Sequence, residues 1–214
     1  MKQTQAKSRA FTLIEILIVV AVLLVLGLVV VPSLMQARAR AKRINCTGNL
    51  KMLGLASKVW AIDHGDRFPQ EVPLAEGGAM EAVSAGDLAF VYQVMSNELS
   101  TPFVLTCPSD SERRRSEKFT TLQSSNLSYF IGLEASSTNY QCFLSGDRNI
   151  ANSAGLQNRI LYASTNDPVG WSQSMHVGNG NIGLSDGSVQ QFSTVRLREA
   201  IACTGFQTNR LLMP

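Results

Sequence analysis

Charge is scarce in this 214-residue chain: Asp, Glu, Lys and Arg together make up 16 % of it. Histidine is scarcer still, at two residues, and cysteine stops at four. That leaves little material for a metal enzyme. The chain has no G-x-x-x-x-G-K-[ST] loop, which excludes that route to holding ATP phosphates. Its acidic residues show no EF-hand spacing. Internal repeats, low-complexity tracts and long Ser-rich linkers are missing too. With 45 % apolar residues the chain is not disordered. Its length fits one domain of ordinary size plus something extra.

The charge that is present is unevenly placed. The net charge of +3 comes entirely from Lys2, Lys7 and Arg9 in the first ten residues. Residues 11–62 carry six basic residues and one acid, Glu15, whereas residues 63–214 carry ten basic and fifteen acidic ones. A basic stem joined to an acidic head lacks the even basicity of a nucleic-acid binder, so no nucleic acid is indicated as a partner.

One long apolar run stands out. From Phe11 to Val31 the only charged residue is Glu15. As a helix this stretch reaches about 32 Å, enough to cross the hydrocarbon core of a bilayer. It exceeds the apolar region of a secretory signal peptide, and Val31-Pro32-Ser33 makes a poor cleavage site. The run therefore reads as a retained membrane segment. A carboxylate among aliphatic side chains costs a few kcal/mol or more in lipid, so Glu15 either reaches back to the interface or has a partner. The nearest cation on offer is an α-amino group, if the chain is cut just before Phe11.

Lys7-Ser8-Arg9-Ala10 followed by Phe11-Thr12-Leu13-Ile14-Glu15 resembles the processing site of type IV pilins and type II secretion pseudopilins. The resemblance implies removal of a short basic leader between Ala10 and Phe11, N-methylation of Phe11, and a role in assembly for Glu15. The residue before the cut is usually Gly in that family; here it is Ala10. Pro32 falls where pilin stems commonly carry a helix-breaking Pro. The family implies a prepilin peptidase/methylase, other pilin-like subunits, an assembly ATPase and a platform membrane protein as partners. It also implies a single pass through the bacterial inner membrane with the head in the periplasm. The basic residues on both flanks of the apolar run do not orient it by themselves.

Beyond Pro32 the pattern becomes a stripe. Leu34, Ala37, Ala41, Ile44, Gly48, Met52, Leu55, Val59 and Ile62 recur at intervals of three and four, one face of a helix that excludes all six basic residues. Asp63-His64-Gly65-Asp66 ends it. The spacing predicts a helix from near Phe11 to Ile62, bent or loosened at Pro32. Arg38, Arg40, Lys42 and Arg43 read first as a solvated face.

Residues 63–214 are enough for an independent core. Residues 86–95 and 196–202 read as short helices, and 127–133 and 159–163 as strands. Asp186-Gly187 between 181–184 and 189–192 is a hairpin signal. The expected fold is α+β: a long N-terminal transmembrane and stem helix packed against a small antiparallel sheet head. The expected divisions are a cleaved leader (1–10), a transmembrane helix (11–31), an amphipathic stem (32–62) and a periplasmic head (63–214).

His176, nine residues, then Asp186-Gly187 is similar to a C-terminal His-x9-Asp-Gly segment found in a bacterial subgroup of prepilin-type proteins. Cys107-Pro108-Ser109-Asp110 and Gly146-Asp147-Arg148-Asn149 look like recurring stretches of the same subgroup. The resemblance assigns them no chemistry, and His176 reads as a hydrogen-bonding loop residue rather than a metal ligand. Gly183-Leu184-Ser185-Asp186-Gly187 matches Gly-x-Ser-x-Gly, but a nucleophile elbow needs a helix after the Ser and a later His, and both His64 and His176 precede it. No catalytic residue is assigned and the chain is not read as an enzyme. No cofactor is expected. Some pseudopilin heads hold calcium, for which Asp63, Asp66, Asp147, Asp167 and Asp186 are the oxygen donors to consider. In an oxidising compartment one disulfide is expected among Cys107, Cys142 and Cys203, with Cys107–Cys142 preferred, although spacing does not fix connectivity. The functional expectation is a structural subunit of a type IV pilus or type II secretion-like filament. The alternative is a membrane-anchored periplasmic binding or sensor domain that never polymerises.

Overall fold

A computed structural model describes residues 12–166 and 169–214. Ala10, Phe11 and Asp167, and with them the expected leader and cleavage point, lie outside the described residues. What is described falls into two compact units that divide between Ala41 and Lys42.

The first unit is helical. Helix α1, Leu13–Ile62, begins here and runs without interruption through Pro32. Pro32 has no N–H to give the preceding turn. Beside it, the Ser33 hydroxyl donates to the Val30 carbonyl at 2.8 Å. The described side chains of this unit make no core of their own; Leu13 is 82 % exposed and Leu28 78 %. Among the described residues this is the one helix long and apolar enough to cross a membrane.

The second unit is α+β. After the last turns of α1 come short helices α2 (Met80–Ser84), α3 (Leu88–Val94) and α4 (Ser96–Leu99). Strands β1 (Tyr129–Gly132), β2 (Phe143–Asp147), β3 (Ile150–Ala151), β4 (Leu156–Gln157), β5 (Ile160–Ser164), β6 (Gly170–Trp171), β7 (Asn179–Leu184) and β8 (Val189–Ser193) follow. Helix α5 (Thr194–Cys203) and strand β9 (Thr208–Leu212) come last. Seven strands form one antiparallel sheet in the order β4-β5-β9-β1-β2-β7-β8, and β3 pairs with β6. The architecture is the expected one, a long apolar helix followed by an antiparallel sheet in a pilin-like layout.

The hairpin read from Asp186-Gly187 is present as β7–β8, with Gly183 opposite Val189. Gly187 takes φ +87°, open to Gly at little cost, and its N–H donates to the Leu184 carbonyl at 2.9 Å. The Asp186 carboxylate accepts from the Ser188 N–H at 2.7 Å and closes the turn.

The stem differs in one respect from its sequence pattern. Ile44, Met52, Leu55, Val59 and Ile62, the lower half of the regular stripe, are exposed, Ile62 by 72 %. The buried face is another one: Cys46, Leu50, Leu53, Ala56, Trp60 and Ala61. Leu53, Ala56 and Trp60 pack with Leu88, Tyr92 and Leu127, while Cys46 and Leu50 pack with Tyr129. This stretch of α1 carries two apolar faces. The sheet covers the one that holds the aromatic and the small residues.

The disulfide is also different. Cys107 bonds to Cys46, with Cα atoms 5.2 Å apart, and not to Cys142. Cys142 is a buried free thiol and Cys203 an exposed one. Burial pushes the Cys142 thiol up to about 11, so it stays protonated at neutral pH. The expected pairing does not form because Cys46, counted with the stem in sequence, is wholly buried in the head core.

The bond ties residues 61 positions apart, and closing a loop of that size in the unfolded chain corresponds to at most about 4 kcal/mol. Cys46→Ser and Cys107→Ser should each lower the oxidised protein's stability by about 2–4 kcal/mol, and the double variant by no more than either. Cys142→Ser should not reproduce the loss. Urea unfolding followed by the fluorescence of Trp60 and Trp171 measures all four.

Candidate functional site: an N-terminal cap and a buried polar cluster

At the start of α1, Thr12 and Glu15 satisfy each other. The Thr12 N–H and hydroxyl both donate to Glu15 Oε2 at 2.8 Å, and the Glu15 N–H donates to the Thr12 hydroxyl at 3.3 Å. This is a capping box, in which side chains take up amides that the first helical turn leaves unpaired. The signal for it in the sequence is the Thr-x-x-Glu spacing of Thr12 and Glu15. The expected partner of Glu15, the Phe11 amine, lies outside the described residues.

In the second unit the singled-out residues converge on a different place. Asp110 is fully buried and takes a two-pronged contact from Arg148, Nε to Oδ2 at 2.6 Å and Nη2 to Oδ1 at 2.8 Å. Ser128 donates to the same carboxylate at 2.9 Å. Burial alone would raise the Asp110 carboxyl, but the Arg148 guanidinium and the Ser128 hydroxyl outweigh it and hold the group below the usual carboxylate range. Arg148 also reaches Glu112 at 2.6 Å.

The neighbours of these two residues form a second cluster. Cys107 Sγ lies 3.6 Å from His176 Nε2. The same ring nitrogen is 3.2 Å from Asp147 Oδ2. Asp147 is wholly buried and its Oδ2 accepts from the Asn181 backbone at 2.7 Å and the Asn181 amide at 2.8 Å. Its Oδ1 has no hydrogen-bond partner among the described residues. The two recurring stretches thus meet pairwise, Asp110 with Arg148 and Cys107 with Asp147 through His176.

His176 and Asp186 do not meet; each touches a different part of α1. Arg43 donates to the His176 carbonyl at 3.0 Å, and Lys58 donates to the Asp186 carbonyl. Arg43 and Lys58 are fifteen residues apart, about 22 Å along a helix. The six residues of β7 between the two contacts span about 20 Å. Arg43 is not simply solvated, as its place in a basic run implied; its guanidinium also faces the Gln191 side-chain amide, whose oxygen accepts from Nε at 3.1 Å when the amide is turned over.

Other candidates disperse. Ser185 is buried and donates to the Cys142 carbonyl at 3.3 Å. His64 stacks on Trp60 with ring centroids 3.5 Å apart, so neither His is set to activate Ser185. The described Asp residues considered for calcium do not gather: among the described residues the one metal-compatible group is Cys46, Cys107 and His176.

The prokaryotic N-terminal methylation motif matches residues 5–31. The match supports a prepilin-like protein, and the motif belongs to structural pilin-type subunits rather than to enzymes. No curated protein and no solved structure matches the chain significantly.

The Asp110–Arg148 pair gives a pH test. A carboxyl held low in the folded state adds stability above its unfolded value, near 4, and loses it as pH falls through the folded value. Asp110→Asn should cost about 3 kcal/mol at pH 7, because Arg148 keeps only Glu112. The gap between parent and variant should narrow steadily below about pH 4. Urea midpoints from pH 7 down to pH 2.5 would show it.

Proposed function

We propose that this chain is a prepilin-type structural subunit, cut between Ala10 and Phe11, methylated on Phe11, and assembled into a filament of the type IV pilus or type II secretion kind. The observation that carries the reading is the methylation motif over residues 5–31, which includes the apolar first part of α1. The subunit starts as a single-pass protein of the bacterial inner membrane with its head in the periplasm. A prepilin peptidase/methylase processes it, and an assembly ATPase and a platform protein drive its extraction. In the filament, apolar segments of α1 pack against those of other subunits. The exposed face Ile44, Met52, Leu55, Val59 and Ile62 supports this, since it is apolar, regular and uncovered in the single chain.

Glu15 serves assembly in this scheme. Its carboxylate neutralises the Phe11 amine of its own or a neighbouring subunit, in surroundings where two separate charges are unfavourable. Pro32 loosens the helix between the membrane segment and the remainder. The competing reading, an anchored periplasmic domain that never polymerises, gives no reason for a methylation motif.

Two experiments test the proposal. Intact-mass analysis of the membrane-extracted protein should find residues 1–10 missing and one methyl group added. A mature chain that still begins at Met1, in cells that hold the peptidase, would defeat the reading. In the same cells, Glu15→Ala should insert in the membrane as well as the parent but give little or no sheared filament, and Glu15→Gln should fall between. A loss of about 1–3 kcal/mol per subunit contact is the size expected for a charge-assisted hydrogen bond. Equal filament yield from Glu15→Ala and the parent would return Glu15 to a capping role alone.

A further inference from the structure

One guanidinium in the second unit stands without a partner. Arg113 is half-buried, yet its side chain forms no hydrogen bond or ion pair among the described residues, and its Nε is shut away from solvent with no acceptor. Burial, with the Arg148 guanidinium added to it, pulls the group below its ordinary value. The carboxylates on hand, Asp110 and Glu112, are both taken by Arg148. A partly desolvated cation that the protein does not pair is costly, whereas the exposed Arg114 and Arg115 beside it cost little.

Arg113 and Arg148 line one cavity of about 310 Å³. Arg148 engages Asp110 and Glu112 through Nε and Nη2, which leaves its Nη1 without a hydrogen bond among the described residues. Much of the remaining wall is apolar. Ile150, Leu161 and Met213 are nearly buried there, while Leu156, on the two-residue strand β4, is 54 % exposed. Guanidinium donors and an apolar wall in one cavity suit a ligand with an anionic head and an apolar body. At about 30 Å³ for each non-hydrogen atom, the volume holds about ten of them. The local charge sets which anion fits. Arg148, Asp110, Glu112 and Arg159 all act on Arg113, so three guanidiniums face two carboxylates and one positive charge is left over. A carboxylate cancels that charge, and a phosphate dianion exceeds it.

We propose that the cavity lined by Arg113 and Arg148 binds a small monocarboxylate with an apolar body, and that Arg113 is the group that takes the carboxylate. The planar fork of a guanidinium offers parallel N–H donors to both oxygens, and Arg148 adds those of Nη1. The two ion pairs of Arg148 hold its own guanidinium in place, so its part is to position charge as well as to donate. The apolar body lies against Ile150, Leu161 and Met213 and takes part of Leu156 out of water. No residue of α1 lines the cavity, so the inference stands apart from filament assembly.

The test titrates the full chain in detergent with hydrocinnamate and, separately, octanoate, two monocarboxylates of matching size. Calorimetry and saturation-transfer NMR, against a detergent blank, should show one saturable site per chain for at least one of them. The corresponding neutral amide should bind about tenfold or more weakly, the size of a charge-assisted hydrogen bond, and Arg113→Gln should weaken the acid by a similar factor. Arg113→Lys should fall between, keeping the charge without the fork. Ala151→Leu, which adds bulk to the cavity wall and alters no charge, should also weaken binding. Without ligand, Arg113→Gln should unfold at the parent's urea midpoint or above it, because an unpaired, half-buried cation is gone. A lower midpoint would make Arg113 structural and overturn the proposal. So would a parent with no saturable site for either acid, acid and amide that bind alike, or full affinity in both Arg113→Gln and Ala151→Leu. Displacement of the acid by an equal concentration of inorganic phosphate would overturn it too.

Discussion

The stretch of α1 from Cys46 to Ala61 is the surface on which the head is built. It lays small and aromatic side chains against the sheet and the short helices at once, and Arg43, just before it, and Lys58, within it, donate to the carbonyls of His176 and Asp186 on either side of β7. β2 pairs with β7, β1 with β2, and β9 with β1, so a strand held against α1 sets the next one out. The disulfide sits at one end of this contact, where it links α1 to the segment that also supplies Asp110.

Buried charge in the head is placed by the same logic. Asp110 and Arg148 stand 38 residues apart in sequence and meet because Ser128, just before β1, and Arg148, just after β2, share a backbone hydrogen bond at 2.9 Å. The Ser128 hydroxyl and the Arg148 guanidinium then take both oxygens of one carboxylate. One strand further in, Asp147 is held by Asn181 of β7. Neighbouring residues on β2 and its end therefore serve two separate carboxylate networks, one on each face of the chain, as the alternation of a strand requires.

How much of this the sequence discloses depends on how local each feature is. The Asp186-Gly187 hairpin, the strand at 129–132 and helix α5 rest on turn chemistry and short-range pattern, and they are where that pattern puts them. The membrane-length helix is equally legible, being a matter of composition over one run. The buried face of the stem is not. Residues 44–62 hold an apolar stripe of regular spacing and a second, less regular one with Cys46, Ala56, Ser57 and Trp60, and only the sheet decides between them. The disulfide is hidden for the same reason: assigning Cys46 to a separate stem removes it from consideration. Asp110–Arg148 and the contacts of His176 depend on strand order, which no local signal carries.

Glu15 shows how a single residue carries two constraints. A carboxylate at the third position of a helix is favoured by the unpaired amides there and by the helix dipole, whether or not a membrane is present. In the described residues both of its side-chain hydrogen bonds, from the Thr12 amide and hydroxyl, fall on Oε2. In lipid that is too little: a carboxylate has about four acceptor positions, and each one left bare in hydrocarbon is costly. The cap explains why Glu stands at this point of the helix. It does not explain why so costly a group is kept in an otherwise uncharged stretch of 21 residues when Gln would cap as well. Under the proposed cut before Phe11, the freed amine would stand next in sequence to Thr12, whose amide and hydroxyl already bind Oε2. Capping and the proposed pairing are compatible: the cap orients the carboxylate through Oε2 and leaves Oε1 without a hydrogen bond among the described residues.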